Sequence, residues 1–173
     1  DPGDVARKIT PKTKAIMAVD WAGANCDYNS LKQWGIPVVQ DAAHNLFPDW
    51  SNHGDYVAWS FQAIKHLTTG DGGALMVPAG MRERGRLLKW YGLDRNDGSD
   101  YRCAQNIQEA GFKYHMNDIA ATIGLANMPY VWGNVERGRV NALYYNEQFD
   151  DLPGFYRPDQ PEKHSWWLYT LLV

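Results

Sequence analysis

Cysteine is scarce in this chain: Cys26 and Cys103 are the only two, far apart and in no CxxC spacing. That excludes a disulfide scaffold and a zinc site built from cysteine. Neither sign of charge dominates. Lys and Arg number 17 against 20 Asp and Glu, a net charge of −3 over 173 residues, which leaves no electrostatic footprint for nucleic acid or an anionic membrane. There is no N-x-S/T sequon, no leader-like segment and no apolar run of membrane-spanning length; a soluble, cytoplasmic protein is the expectation. Without GxGxxG or GxxxxGK[ST], dinucleotide and P-loop sites have no support. The five histidines show no HExxH or other metal spacing. Asp94-Arg95-Asn96-Asp97-Gly98 mimics a calcium loop, but its glycine falls one place early and no Glu closes it. Internal repeats and low-complexity linkers are also absent.

What remains is ordinary globular material, 45% hydrophobic and 21% charged, and one domain's worth of chain. Ala15–Val19 is a short apolar run suited to a buried strand. Asp27 offers an N-cap to a helix from Tyr28 to Trp34, which Gly35-Ile36-Pro37 stops before a second buried strand, Val38–Asp41. This βαβ unit predicts parallel strands with a right-handed crossover. Tyr56–Phe61 reads as a third strand. Ala74–Val77 reads as a fourth, after the turn Gly70-Asp71-Gly72-Gly73. Helices are expected over Met81–Tyr91, from a cap at Asn117 or Asp118 through Ala126, and, beyond Pro129, from about Val131 to Phe149. Gly92–Asn106 is polar and loop-like. The chain opens at Asp1 without an initiator Met and closes on Trp166–Val173, strand-like with no turn after it; the expectation is a piece of a longer protein. The class is α/β.

In an open parallel sheet, ligands gather beyond the carboxyl ends of the strands. Asp41 closes the second strand, Ser60 lies near the end of the third, and Lys65 follows on the loop Gln62–Thr69. A carboxylate, a hydroxyl and an amine would converge on one sheet edge. Partial desolvation there lowers a lysine's pKa and makes it nucleophilic. An aspartate facing it could keep a pyridine nitrogen protonated, the pairing that pyridoxal phosphate chemistry requires. The plainer alternatives stay open at this level: a loop lysine is usually solvated, and Asp41 equally suits a turn cap. Trp34, Trp59 and Trp132 fit core packing, whereas Trp21, ending the first strand, is the tryptophan placed near a ligand. Arg82, Arg84, Arg86 and Lys89, with Glu83 interleaved, read as a solvated helix face. His66 reads as a loop histidine bonded to backbone, though its position allows it to tune Lys65.

Three segments carry a resemblance. Ser60-Phe61-Gln62-Ala63-Ile64-Lys65-His66-Leu67-Thr68-Thr69-Gly70-Asp71-Gly72-Gly73 closely resembles the lysine segment of the DegT/DnrJ/EryC1/StrS family. Val39-Gln40-Asp41-Ala42-Ala43-His44 is similar to the family's Glu-Asp-Ala-Ala-Gln/His segment. Gly111-Phe112-Lys113-Tyr114-His115-Met116 is similar to its Gly-Tyr-Asn-Tyr-Arg-Met segment, and Trp90–Arg95 also fits. The order matches the family's and covers essentially the whole chain.

The resemblance implies a pyridoxal-phosphate-dependent sugar aminotransferase of the aspartate aminotransferase fold (fold type I), with a mostly parallel sheet flanked by helices. Residues 1–130 would be part of the cofactor-binding large domain, and 131–173 the linking helix and start of the small domain. It implies that Lys65 carries the cofactor as a Schiff base, Asp41 pairs with its pyridine nitrogen, Ser60 binds its phosphate and His44 lies near its 3′-oxygen. Lys113 stands where the family has an Asn that reaches the neighbouring subunit's cofactor phosphate. His115 stands where the family has Arg, and matches its charge only when protonated. The implied reaction moves an amino group, with glutamate as donor, to a nucleotide-linked keto-sugar for surface polysaccharide or deoxyaminosugar synthesis, in a homodimer with shared active sites. Two alternatives accompany it. One is a sugar dehydratase of the same family, against which Lys65 argues because those relatives carry His there. The other is a non-catalytic fragment or scaffold that binds no cofactor. The family's phosphate loop and ring-stacking residue cannot be placed in this chain.

Overall fold

The apolar run at the start of the chain forms β1 (Ile16–Val19). Ile16 and Ala18 are buried while Met17 and Val19 are exposed, the two-residue alternation of a strand with one face covered. The computed structural model describes residues 1–47, 53–96, 98, 104–158, 160, 161 and 163–173; Cys103 and part of the Gly92–Asn106 loop lie outside them. Ahead of β1 stands a helix absent from the sequence reading, α1 (Pro2–Lys8). Its signature is local: the Asp1 side chain accepts from the Gly3 N–H at 2.8 Å, and Pro2 needs no helical donor.

Asp27 starts α2 (Tyr28–Lys32), accepting from the Ser30 N–H at 3.0 Å. The helix ends short of Trp34 because the chain turns at Gly35, with φ of +63°. Next come β2 (Val38–Asp41), β3 (Tyr56–Ser60) and β4 (Gly73–Met76), in spatial order β1-β2-β3-β4. β1, β2 and β3 run parallel; β4 returns antiparallel to β3, with Ser60 opposite Gly73. The α/β reading with a mostly parallel sheet holds.

Two apolar clusters pack against the sheet. One joins Ile16, Ala18, Tyr28, Leu31 and Val38, with Trp34 packed on its margin. The other joins Leu46, Phe61, Leu67 and Val131, with Trp59 and Trp132 against it. All three tryptophans assigned to packing therefore do pack. Val38 and Val57 are wholly buried, each stabilising the fold by about 1.5–2 kcal/mol.

α3 (Arg82–Leu88) is shorter than its apolar pattern suggests. Tyr91, at φ +57°, and Gly92 turn the chain, so that the Tyr91 N–H donates to the Phe112 carbonyl instead of continuing the helix. Two of its three arginines are committed: Arg84 pairs with Glu109, and Arg86 with Glu83 and Asp94. Asn117 caps α4 (Asp118–Asn127), and a short turn at Met128–Tyr130, holding Pro129, leads into α5 (Val131–Phe149). Trp166–Val173 corrects the sequence reading: among the described residues it forms no strand, only an isolated bridge of Leu172 with Tyr156. Trp166 adopts φ +53° and the run bends at Trp167, drawing both indoles towards the lysine loop and α5. No described helix is long and apolar enough to cross a membrane.

Candidate active site

The parallel register puts Asp41 beside Ala58, and Ser60 lies two residues further along β3. Alternation then places Asp41 and Ser60 on the same sheet face, at the carboxyl ends of adjoining parallel strands. One Asp41 oxygen, Oδ1, accepts the Ala43 N–H at 3.0 Å, so the turn-cap role is real. No described residue bonds the other oxygen, which is left for a ligand. Ser60 Oγ accepts a long 3.4 Å contact from the Gln62 N–H, leaving its own proton to donate.

Lys65 stands on a loop held at both ends. The Phe61 N–H donates to the Gly72 carbonyl and the Thr69 N–H to the Phe61 carbonyl, while Phe61 and Leu67 are buried in the second cluster. Gly72 takes φ +145°, a conformation that a side chain would strain. Asn127 at the end of α4 donates to the Thr68 carbonyl at 3.2 Å, pinning the loop from outside. Desolvation pulls the Lys65 amine below the ordinary lysine range, and the negative charge of Asp41 partly opposes that. The acid and the amine thus share one electrostatic neighbourhood. A narrow cleft lined by Ala43, Ser60 and Lys65 opens there. Beyond Lys65 lies a cavity of about 330 Å³ bordered by Asn134, Arg137 and Asn141 of α5 and by Trp166 and Trp167.

His44 sits at the same edge in a defined tautomer. The Ala22 N–H donates to its Nδ1 at 3.2 Å, so the neutral ring carries its proton on Nε2 and can donate from there. Burial, then the nearby Lys65 charge, lower its pKa, against a smaller opposing pull from Asp41. Its ring is stacked on Trp167 with centroids 3.9 Å apart and tilted against Trp21 at 5.1 Å. The turn beneath is tight. Gly23 has φ +99°, and a Cβ there would come within 3.0 Å of the His44 carbonyl oxygen and the Trp166 nitrogen. His66 is pushed down to about 4 by burial, opposed by a hydrogen bond with the Ser165 backbone; the backbone-bonded reading of this residue is correct.

Two features escaped the sequence reading. Besides Trp21, which lies against His44, Trp167 is an indole at this edge and the one against the amine: Lys65 Nζ lies 4.0 Å from its ring centroid. Asp20, wholly buried, organises the strand ends. Its Oδ1 accepts from Tyr28 Oη at 2.7 Å and the Cys26 N–H at 3.0 Å, and its Oδ2 from Gln40 at 2.7 Å and Asn45 at 2.8 Å. Gln40 and Asn45 bracket the segment from Asp41 to His44. The signal available was an acid closing an apolar strand run.

Lys113 is exposed, in an isolated bridge with Trp90, and lines neither cavity bordering Lys65. His115 lies edge-on to Trp90 at 3.5 Å. Desolvation first, then Lys113, Arg95 and Lys89, lower its pKa, which works against the positive charge it would need to stand in for an arginine. Among the described residues no group of acids, His and Cys could hold a metal ion.

Comparison with known proteins gives this arrangement a context. Residues 1–173 match the sequence profile of the DegT/DnrJ/EryC1/StrS aminotransferase family. The spore coat polysaccharide biosynthesis protein SpsC of Bacillus subtilis is 29% identical over all of this chain and 49% of its own length. Among solved structures, AtS13 from Actinomadura melliaura superposes with a TM-score of 0.88 at 34% identity, over 99% of this chain and 50% of that one. The sugar aminotransferase CalS13 from Micromonospora echinospora gives a TM-score of 0.85 at 30% identity, over 99% and 51%. The chain spans about half the length of the curated relatives it matches, 48% and 49%.

Proposed function

This chain belongs to the DegT/DnrJ/EryC1/StrS aminotransferase family, and from that premise we propose that the whole protein transfers an amino group from glutamate to a nucleotide-linked keto-sugar. The observation that carries the reading is the placement of Lys65 within the electrostatic reach of Asp41, beside His44, at the strand ends that also present Ser60. Pyridoxal phosphate is the cofactor of this family; bound, it supplies an electron sink for the carbanion left when an amino acid loses its α-proton.

The residues fit that group. The free oxygen of Asp41 suits a protonated pyridine nitrogen, and the Nε2–H of His44 suits the ring's 3′-oxygen. The hydroxyl of Ser60 suits a phosphate oxygen. Lys65 would anchor the group, and then, once an amino donor has displaced it, take the proton from the donor's α-carbon and return it to the product side. Desolvation assists by raising the neutral, basic fraction of the amine. Burial and the Lys65 charge favour the neutral form of His44, which donates from Nε2 without adding a second positive charge beside Lys65.

In the same reading residues 1–130 belong to the cofactor-binding domain, and 131–173 link it to a second domain. The protein acts as a cytoplasmic homodimer in which exposed Lys113 meets the phosphate of the partner's cofactor as a point charge. The product serves surface polysaccharide or deoxyaminosugar synthesis. Replacing Lys65 with Ala tests the centre of the proposal: the full-length variant is expected to lose both the visible absorbance of lysine-bound pyridoxal phosphate and turnover with glutamate and a keto-sugar nucleotide. Retained transamination would refute it.

A further inference from the structure

We propose that Trp167 is a positioning residue for Lys65, its indole face holding the ammonium and its N–H fixing the peptide that precedes it. Three contacts converge on this one side chain. Lys65 Nζ lies 4.0 Å from the ring centroid, inside the range in which a cation is attracted to an aromatic face. The Trp167 Nε1–H donates to the Ile64 carbonyl at 3.1 Å, 103 positions away in sequence. The ring also stacks on His44 at 3.9 Å and 26°. One indole therefore fixes the amine, the backbone next to it and the histidine at the strand end. The bend at Trp167 that breaks the apolar run has a local purpose, since an alternating strand would turn this ring to one side of a sheet.

The electrostatic sense follows from the groups around the amine. Asp41 faces it from the end of β2 and favours the ammonium; desolvation disfavours it. His44 lies close enough to be influenced by it, and His66 on the same loop is held neutral by burial. Arg137 of α5 borders the same cavity without a bonded partner among the described residues. Trp167 is the uncharged member of this set, and its ring stabilises the protonated amine. Removing the ring face takes away about 0.5–1 kcal/mol of ammonium stabilisation, and at 1.36 kcal/mol per unit the pKa falls by about half a unit. The neutral amine at working pH then rises about threefold. The ring thus holds the amine in place while restraining its reactivity.

The inference rests on Lys65 being the reactive amine only for its consequence, because the measurement needs no cofactor. Full-length protein freed of pyridoxal phosphate is reductively methylated with ¹³C, the Lys65 signal is assigned by its loss in Lys65→Met, and its pKa is titrated by NMR. In Trp167→Leu the pKa falls by about half a unit; in Trp167→Phe, which keeps an aromatic face but loses the N–H, it stays near the parent value. Equal pKa values in all three proteins would overturn the proposal, as would a Phe variant that falls as far as Leu. Should the Leu variant fail to fold, 5-fluorotryptophan labelling of the parent decides. The Trp167 ¹⁹F signal must move through a step at the Lys65 pKa that vanishes in Lys65→Met, and a flat signal overturns the proposal. Absorbance loss in Lys65→Ala is read separately, so failure of one reading does not mask failure of the other.

Discussion

Asp20→Asn is the most demanding test of how the strand ends are held. The wild-type carboxylate is wholly buried and takes two donors on each oxygen: Tyr28 Oη and the Cys26 N–H on one, the Gln40 and Asn45 amides on the other. Asparagine keeps one acceptor oxygen and places an NH₂ where the second stood. Whichever way the amide turns, two of the four donors then face another donor. A buried donor left unsatisfied costs about 1–3 kcal/mol, so the pair costs roughly 2–6 kcal/mol; local relaxation brings the expectation to about 3 kcal/mol. Urea unfolding at neutral pH reads it as a lower midpoint with an unchanged slope. A double-mutant cycle with Asn45→Ala should show coupling of at least about 1 kcal/mol, because the Asn45 amide donates directly to Asp20 Oδ2. A loss below about 1 kcal/mol, or additive effects in the cycle, would refute the account of Asp20 as an acceptor hub.

Acid should destabilise the fold in a defined window. His66 and His164 are both held at about 4 by burial, and His164 Nδ1 accepts the Trp166 N–H at 2.9 Å, a bond its protonation breaks. The unfolded chain protonates these rings near 6.5 while the folded chain resists until about 4. Stability is therefore full above the unfolded value and declines as pH falls from 6.5 towards 4. Melting temperature against pH should show that decline, shallower in His66→Gln; an identical slope in the variant would count against it. Gly23→Ala, at φ +99° and with its new Cβ crowding the His44 carbonyl and the Trp166 nitrogen, should lower stability by at least about 1 kcal/mol. An unchanged thermal midpoint would show that the turn gives way freely.

The parts of the fold that could be read from sequence are those whose causes are local. The four strands are short apolar runs bounded by turn residues, and the caps Asp27 and Asn117 lie next to the helices they start. Asp41, Ser60 and Lys65 were legible because two strand ends and one loop bring them together within a short stretch of chain. α1 was equally local, written in Asp1-Pro2, and was overlooked. The rest depends on distant partners. Trp167 reaches the lysine loop across most of the chain, and nothing near it in sequence marks an indole meant for an amine. Trp166–Val173 has strand composition, but strand formation is decided by neighbours, and here the neighbours are Lys65, His44 and α5. Nothing next to Asp20 in sequence marks it as a hub, because its donors come from four separated positions, Cys26, Tyr28, Gln40 and Asn45.

Asp20 also acts as a check on assembly. Its partners on β2 and beyond reach it only when Ile16 stands opposite Val38 and Val19 opposite Asp41. Sliding β2 by one position would carry the Gln40 side chain to the opposite sheet face and strand an anion in a dry interior with two of its donors gone. Mispaired sheets are thereby disfavoured by a charge rather than by shape. The register that passes this check is the one that brings Asp41 to the same side as Ser60.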